Sequence, residues 1–159
     1  MEDKYKILFV CLGNICRSPA AEEVMRQELA ARDITDVELD SAGLYSGHAG
    51  QLPDSRMRAH ARKRGYDLTH RARPVRELDF FDFDLIVAMD DSNYHELRDM
   101  APTEECERKV VRMIDYASPG CRYTYVPDPY YEGAEGFELV LDLLEDACGN
   151  MAAAVRRSL

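Results

Sequence analysis

The sequence predicts an α/β fold of three layers, a four-stranded parallel sheet with helices on both faces. Three observations carry this expectation. Short apolar runs alternate with helix-like stretches, and strands joined through helices pair in parallel. No internal repeat, low-complexity tract or linker divides the 159 residues, a length sufficient for one domain with a sizeable core. The composition, 46% hydrophobic and 31% charged, is that of an ordinary globular chain. Residues 1–159 are therefore read as a single domain.

Taken in order, residues 4–10 form an apolar run bounded by charge and read as a buried first strand. Ser18-Pro19 then marks a helix start, Ser as cap and Pro at the first helical position, with Glu22 and Glu23 favourably placed in the early turns. That helix runs to about Arg32. Residues 37–41 form the second strand, ending at Ala42-Gly43. Gly47, Gly50 and Pro53 predict a loop over 44–53. Residues 54–64, closed by Gly65, predict a helix. Residues 85–89 are the third strand, followed by a helix from Asp90-Asp91-Ser92 to about Met100, and 109–114 the fourth strand. The stretch 115–136 is long for a connection, and loops of that length in compact domains are usually functional or disordered. Residues 137–157 close the chain as an amphipathic helix.

Composition also narrows the function. A net charge of −10 argues against general nucleic-acid binding, which needs clustered cations. No apolar run approaches a membrane span, so no membrane partner is expected. The N-terminus enters a strand pattern too soon for a signal peptide, and a cytoplasmic location is the default. The five cysteines form no Cys-x-x-Cys pair and no Cys/His zinc spacing. Reduced thiols are expected, with no metal and no cofactor.

The chemistry concentrates in residues 10–19, Val-Cys-Leu-Gly-Asn-Ile-Cys-Arg-Ser-Pro, at the first strand-to-helix turn. Ligands of parallel sheets bind at the carboxyl ends of strands. Cys11 supplies a sulfur nucleophile. The following helix N-terminus, successive backbone N–H groups and Arg17 would all favour its thiolate. The same groups suit a phosphate dianion, and Arg17 can hold two of its oxygens at once. Gly13 and Asn14 tolerate left-handed backbone, which lets N–H groups point inward. Phosphoryl transfer needs mainly positioning and charge stabilisation, which such a cradle supplies.

This decapeptide resembles the phosphate loop of the low-molecular-weight protein tyrosine phosphatases. The resemblance extends over essentially the whole chain through Asp40-Ser41-Ala42-Gly43, Met89-Asp90-Asp91-Ser92-Asn93 and Asp128-Pro129-Tyr130-Tyr131, in the family's order and near its spacing. It implies a cysteine-dependent hydrolase of phosphotyrosine monoesters. Cys11 would attack phosphorus and form a phosphocysteine. Asp128 would protonate the leaving oxygen and then act as base for the hydrolytic water. Leu12, Gly13, Asn14, Ile15, Cys16 and Ser18 would complete the phosphate site, with Ser18 bonded to the Cys11 sulfur. Ser41 and His70 would brace the loop with Asn14, and Glu22 would pair with His70. Cys16 would form a reversible disulfide with Cys11, although a small buried side chain explains it equally well. Tyr130 and Tyr131 would line the pocket, with Leu12 as an apolar wall. The partner implied is a phosphotyrosine-containing protein or a small aryl phosphate; a phosphoarginine stays open. A monomer or weak dimer is expected.

The sequence departs from the family at one wall. It has no tryptophan, and where many members place an aromatic it has Gly47, with Tyr45 two residues earlier and His48 next. Either the pocket is open on that side or Tyr45 substitutes from a shifted loop. Arg56, Arg58, Arg62, Lys63 and Arg64 read as a solvated basic helix face. Two other functions fit the same loop. An arsenate reductase would pass a disulfide to further cysteines, but residues 81–89 contain none. A silent phosphate-binding module would usually lack Cys11, Arg17 or Asp128, and all three are present.

Overall fold

The computed structural model describes residues 4–130 and 132–159. Strand β1 (Tyr5–Cys11) leads into helix α1 (Arg17–Ala31), β2 (Val37–Gly43) and α2 (Ser55–Lys63). A short α3 (Asp79–Asp82), β3 (Leu85–Ala88), α4 (Asp91–Met100) and a second short helix, α5 (Glu104–Glu107), follow. Strand β4 (Val110–Arg112), a 3₁₀ turn (Met113–Tyr116) and α6 (Ala134–Ser158) complete the chain. The sheet is parallel throughout, in the order β2-β1-β3-β4. The three-layer expectation holds.

Alternation along β1 divides the core. Ile7, Phe9 and Cys11 face the side covered by α1, α2 and α6, where they meet Val24, Met57 and Leu144. Leu8 and Val10 face the opposite side with Phe80 of α3, Leu97 of α4 and Cys106 of α5. Because β2 and β3 flank β1 on opposite sides, the strand order reverses direction at β1/β3. The crevice of such a sheet lies at this point, beyond the strands' carboxyl ends. The Cys11 loop occupies it. Among the described residues, no helix is long and apolar enough to cross a membrane.

Several boundaries differ from the sequence expectation for physical reasons. Helix α1 starts at Arg17 with Cys16 at the cap position, and no side chain caps it. Ser18 therefore lies inside the helix and Pro19 two residues beyond its first position. The Ser18 hydroxyl is engaged by the Cys11 sulfur and the Asn14 amide instead of a helix N–H group. The fourth strand ends at Arg112, and residues expected to extend it form the 3₁₀ turn. The basic face of α2 is only partly solvated. Arg64 pairs with Glu138, Asp142 and Glu145 of α6, and Arg56 lies over two aromatic rings.

Candidate active site

Burial of β1 puts Cys11 at the floor of the crevice, with 2% of its surface exposed. The chain then turns through Leu12–Cys16 and enters α1. Asn14 adopts a left-handed conformation, φ 57°, which a non-glycine residue holds only at a cost. Its backbone N–H donates to Cys11 Sγ at 3.3 Å, and Ser18 Oγ lies 3.0 Å from the same sulfur.

The strained residue is held by its own side chain. Asn14 Nδ2 donates to Ser18 Oγ (2.8 Å) and Ser41 Oγ (3.1 Å). Its Oδ1 accepts from the Arg73 N–H at 3.0 Å and faces His70 Nε2 at 3.0 Å. Ser41 Oγ in turn donates to Glu22 Oε1 at 2.8 Å. His70 Nδ1 stands 3.5 Å from both Glu22 Oε1 and Asp40 Oδ1. Burial opposes charge on both partners: it pushes the Glu22 carboxyl up to about 7 and the His70 imidazole down. The sequence expectation named Asn14, Ser41, His70 and Glu22, and these residues form one connected network. It missed Arg73, which adds a backbone donor to Asn14 while its guanidinium joins Asp40 to the buried Asp79.

Gly43 has a steric duty here. A Cβ at Gly43 would sit 2.9 Å from the Leu12 carbonyl oxygen and 3.0 Å from the Asn14 nitrogen. The end of β2 must therefore be bare for the loop to lie against it.

Arg17 is nearly fully buried. Its Nη1 donates to Asp90 Oδ2 at 2.7 Å and to the Val126 carbonyl at 3.1 Å, while Nη2 lies 3.6 Å from Asp128 Oδ2. Burial disfavours the guanidinium charge, but Cys11, Asp90 and Asp128 outweigh it and hold the proton more firmly. Asp90 was read only as part of a signature. In the structure it caps α4 by accepting the Asn93 N–H at 2.8 Å and orients Arg17 at the same time.

Above Cys11 opens a cavity of about 330 Å³ lined by Leu12, Gly13, Ile15, Cys16, Arg17, Tyr45, His48, Asp128 and Tyr130. Asn14, Ser18, Ser41, Glu22 and His70 stand behind the loop as its support. The question at Gly47 resolves in favour of Tyr45. A Cβ at Gly47 would fall 2.1 Å from the Tyr45 ring, so the ring occupies the space that the missing side chain leaves. His48 packs edge-on to Tyr45 and against Gly13, with Nδ1 3.0 Å from Gln51 Oε1. Sequence reasoning noted His48 without giving it a place in the wall. Tyr131 lies outside the described residues. Cys11 and Cys16 are both free thiols, and burial raises the Cys16 thiol well above its ordinary value.

The family model for low molecular weight phosphotyrosine protein phosphatase matches residues 6–159. The chain belongs to this family. A Synechocystis sp. protein assigned to the low molecular weight protein-tyrosine-phosphatases is 47% identical, over 97% of this chain and 98% of that protein. The crystal structure of a protein tyrosine phosphatase from Entamoeba histolytica, with Hepes in its active site, superposes with a TM-score of 0.94. It is 47% identical and covers 98% of this chain and 99% of its own. A structure described as a Drosophila arginine phosphatase is more distant, at 34% identity and a TM-score of 0.88, covering 95% of this chain and 98% of its own. As a low-molecular-weight phosphatase, the chain is a cysteine-dependent hydrolase of phosphotyrosine monoesters that works through a phosphocysteine intermediate.

Proposed function

We propose that Cys11, Arg17 and Asp128 carry this reaction, and that the substrate is a phosphotyrosine side chain or a small aryl phosphate. The observation behind the assignment is that all three line one cavity, with Arg17 Nη2 only 3.6 Å from Asp128 Oδ2. The Cys11 thiolate attacks phosphorus in line and the bond between phosphorus and the aryl oxygen breaks, with Asp128 giving its proton to that departing oxygen. Arg17 and the loop N–H groups spread the charge of the transferring phosphoryl group. In the second step Asp128 takes a proton from water, the water oxygen bonds phosphorus, and Cys11 leaves as thiolate. Ser18, 3.0 Å from the sulfur, donates to it and eases that departure. Leu12, Tyr45 and Tyr130 are each more than a third exposed at the cavity, and they form an apolar collar suited to a phenyl ring.

Each of these roles is filled by a side chain or backbone group of one chain, so turnover should survive a chelator and require no second subunit. A reducing, cytoplasmic setting suits a catalytic thiolate that opens onto a cavity. The assignment is tested on purified reduced protein with phosphotyrosine. Cys11→Ser should abolish phosphate release, and Asp128→Ala should retain phosphate binding while slowing turnover roughly 10²- to 10⁴-fold. Near-normal turnover in either variant overturns the roles. Arsenate-dependent thiol oxidation with thioredoxin, without ester hydrolysis, would move the protein to the reductases. Phosphoarginine belongs in the same assay as the competing substrate.

A further inference from the structure

Arg56 stands where the two halves of the site meet. The start of α2 is fastened to the phosphate loop, because the Asp54 N–H donates to the Ile15 carbonyl at 2.7 Å. The Asp54 carboxylate accepts the Arg56 and Met57 N–H groups and so caps the helix. It also takes the Arg56 guanidinium as a fork, Nε to Oδ1 at 3.1 Å and Nη2 to Oδ2 at 2.9 Å. Thus clamped, the guanidinium lies 5.2 Å from the centroid of the Tyr130 ring and 5.0 Å from that of Phe137, the latter buried in the core. Tyr130 connects to the acid itself, its backbone N–H donating to Asp128 Oδ1 at 3.0 Å.

Beside the Arg17 contacts, a continuous path therefore runs from Ile15 through Asp54, Arg56 and Tyr130 to Asp128. The cap alone does not need the guanidinium, since the backbone N–H groups satisfy it. Arg56 keeps nearly half of its side chain in solvent, yet its planar fork is engaged by a carboxylate and lies over two rings. We propose that Arg56 is a positioning residue for the general acid, holding the Asp128 loop in register with the phosphate loop. Its side chain does not line the cavity. Its effect is confined to where the proton donor stands, and the inference rests on the reading of Asp128 as that donor.

That confinement gives the test. A misplaced acid matters most for leaving groups that need a proton and least for those that do not. Values of kcat/KM are measured for phenyl, 4-nitrophenyl and 2,4-dinitrophenyl phosphate, together with inhibition by inorganic phosphate and the melting temperature. Arg56→Ala should lower kcat/KM for phenyl phosphate about tenfold, the scale of a sub-ångström displacement of a reacting group, and leave 2,4-dinitrophenyl phosphate within about twofold. Phosphate inhibition should be unchanged. Arg56→Lys, which keeps the charge and loses the fork, should fall between. In an Asp128→Ala background, Arg56→Ala should cost nothing further on any substrate. Equal losses across the three substrates, or additive losses in the double variant, overturn the proposal. If Asp128→Ala itself shows no dependence on the leaving group, the acid assignment fails and the proposal falls with it.

Discussion

At the scale of single residues, two glycines decide how the pocket is built, for opposite reasons. Gly43 keeps backbone away from backbone, and nothing near it can yield. Gly47 makes room for a side chain, the Tyr45 ring, which can swing away. Gly47→Ala should therefore fold normally and expel the ring. We expect KM for phosphotyrosine to rise about 2- to 10-fold, the usual worth of one aromatic contact. Tyr45→Ala should give the same rise, and the double variant should add little to either single change. Independent, multiplying effects would show that Tyr45 does not owe its place to Gly47. The sequence identifies both positions but cannot choose between an open wall and a substituted one. The choice depends on a contact between residues two apart in an irregular loop, which no periodicity encodes.

Among the elements, α4 shows how a helix start can serve a distant group. Asp90 caps the helix through Asn93 and holds Arg17 through its other oxygen. Asparagine caps as well as aspartate but lacks the charge. Asp90→Asn should lower kcat/KM and lose stability only through the buried Arg17 charge, whereas Asp90→Ala should lose about 1 kcal/mol more in a urea titration, the worth of the cap. If both variants lose stability equally, the cap is not what Asp90 contributes. The strands, α1, α2, α4 and α6 are legible in the sequence because each has a bounded apolar run or a helical stripe with end signals. The helices α3 and α5, four residues each, are not legible, because a single turn shows no period. Asp79 of α3 is buried because Arg73 and Arg76 surround it, a cause no local window contains. Ser18 misleads as a helix cap because its oxygen accepts from the Asn14 amide, a donor that only the closed loop brings to it, beside the Cys11 sulfur contact that the resemblance implies. Cys11, Arg17 and Asp128 are proposed from signature runs, and the structure brings them to one cavity; the contacts of Arg56 with Tyr130 and of Asp90 with Arg17 span more than 70 residues and need coordinates.

Over the whole molecule, the network behind the loop links catalysis to stability. Glu22 is buried, with its carboxyl raised from 4.5 to about 7. Between these values the unfolded chain releases a proton that the folded chain keeps, so stability falls as pH rises through that window. His70, held below its ordinary 6.5, works in the opposite direction as pH falls. Comparison with Glu22→Gln isolates the Glu22 part. Relative to that variant, the wild type should lose about 3 kcal/mol of unfolding free energy between about pH 4.5 and about pH 7, read from urea midpoints. Parallel pH profiles for the two proteins would mean that Glu22 ionises as freely in the fold as outside it. One further feature sets what this architecture tolerates. Val126 is fully buried, its N–H bonded to the Met89 carbonyl and its own carbonyl to Arg17. Ser118 is tied to Asp146 on α6. The span between these two anchors, residues 119–125, has no counting relationship to the chemistry. Residues can be gained or lost there, and a new loop or binding segment grafted in, without altering the distance between the acid and the nucleophile.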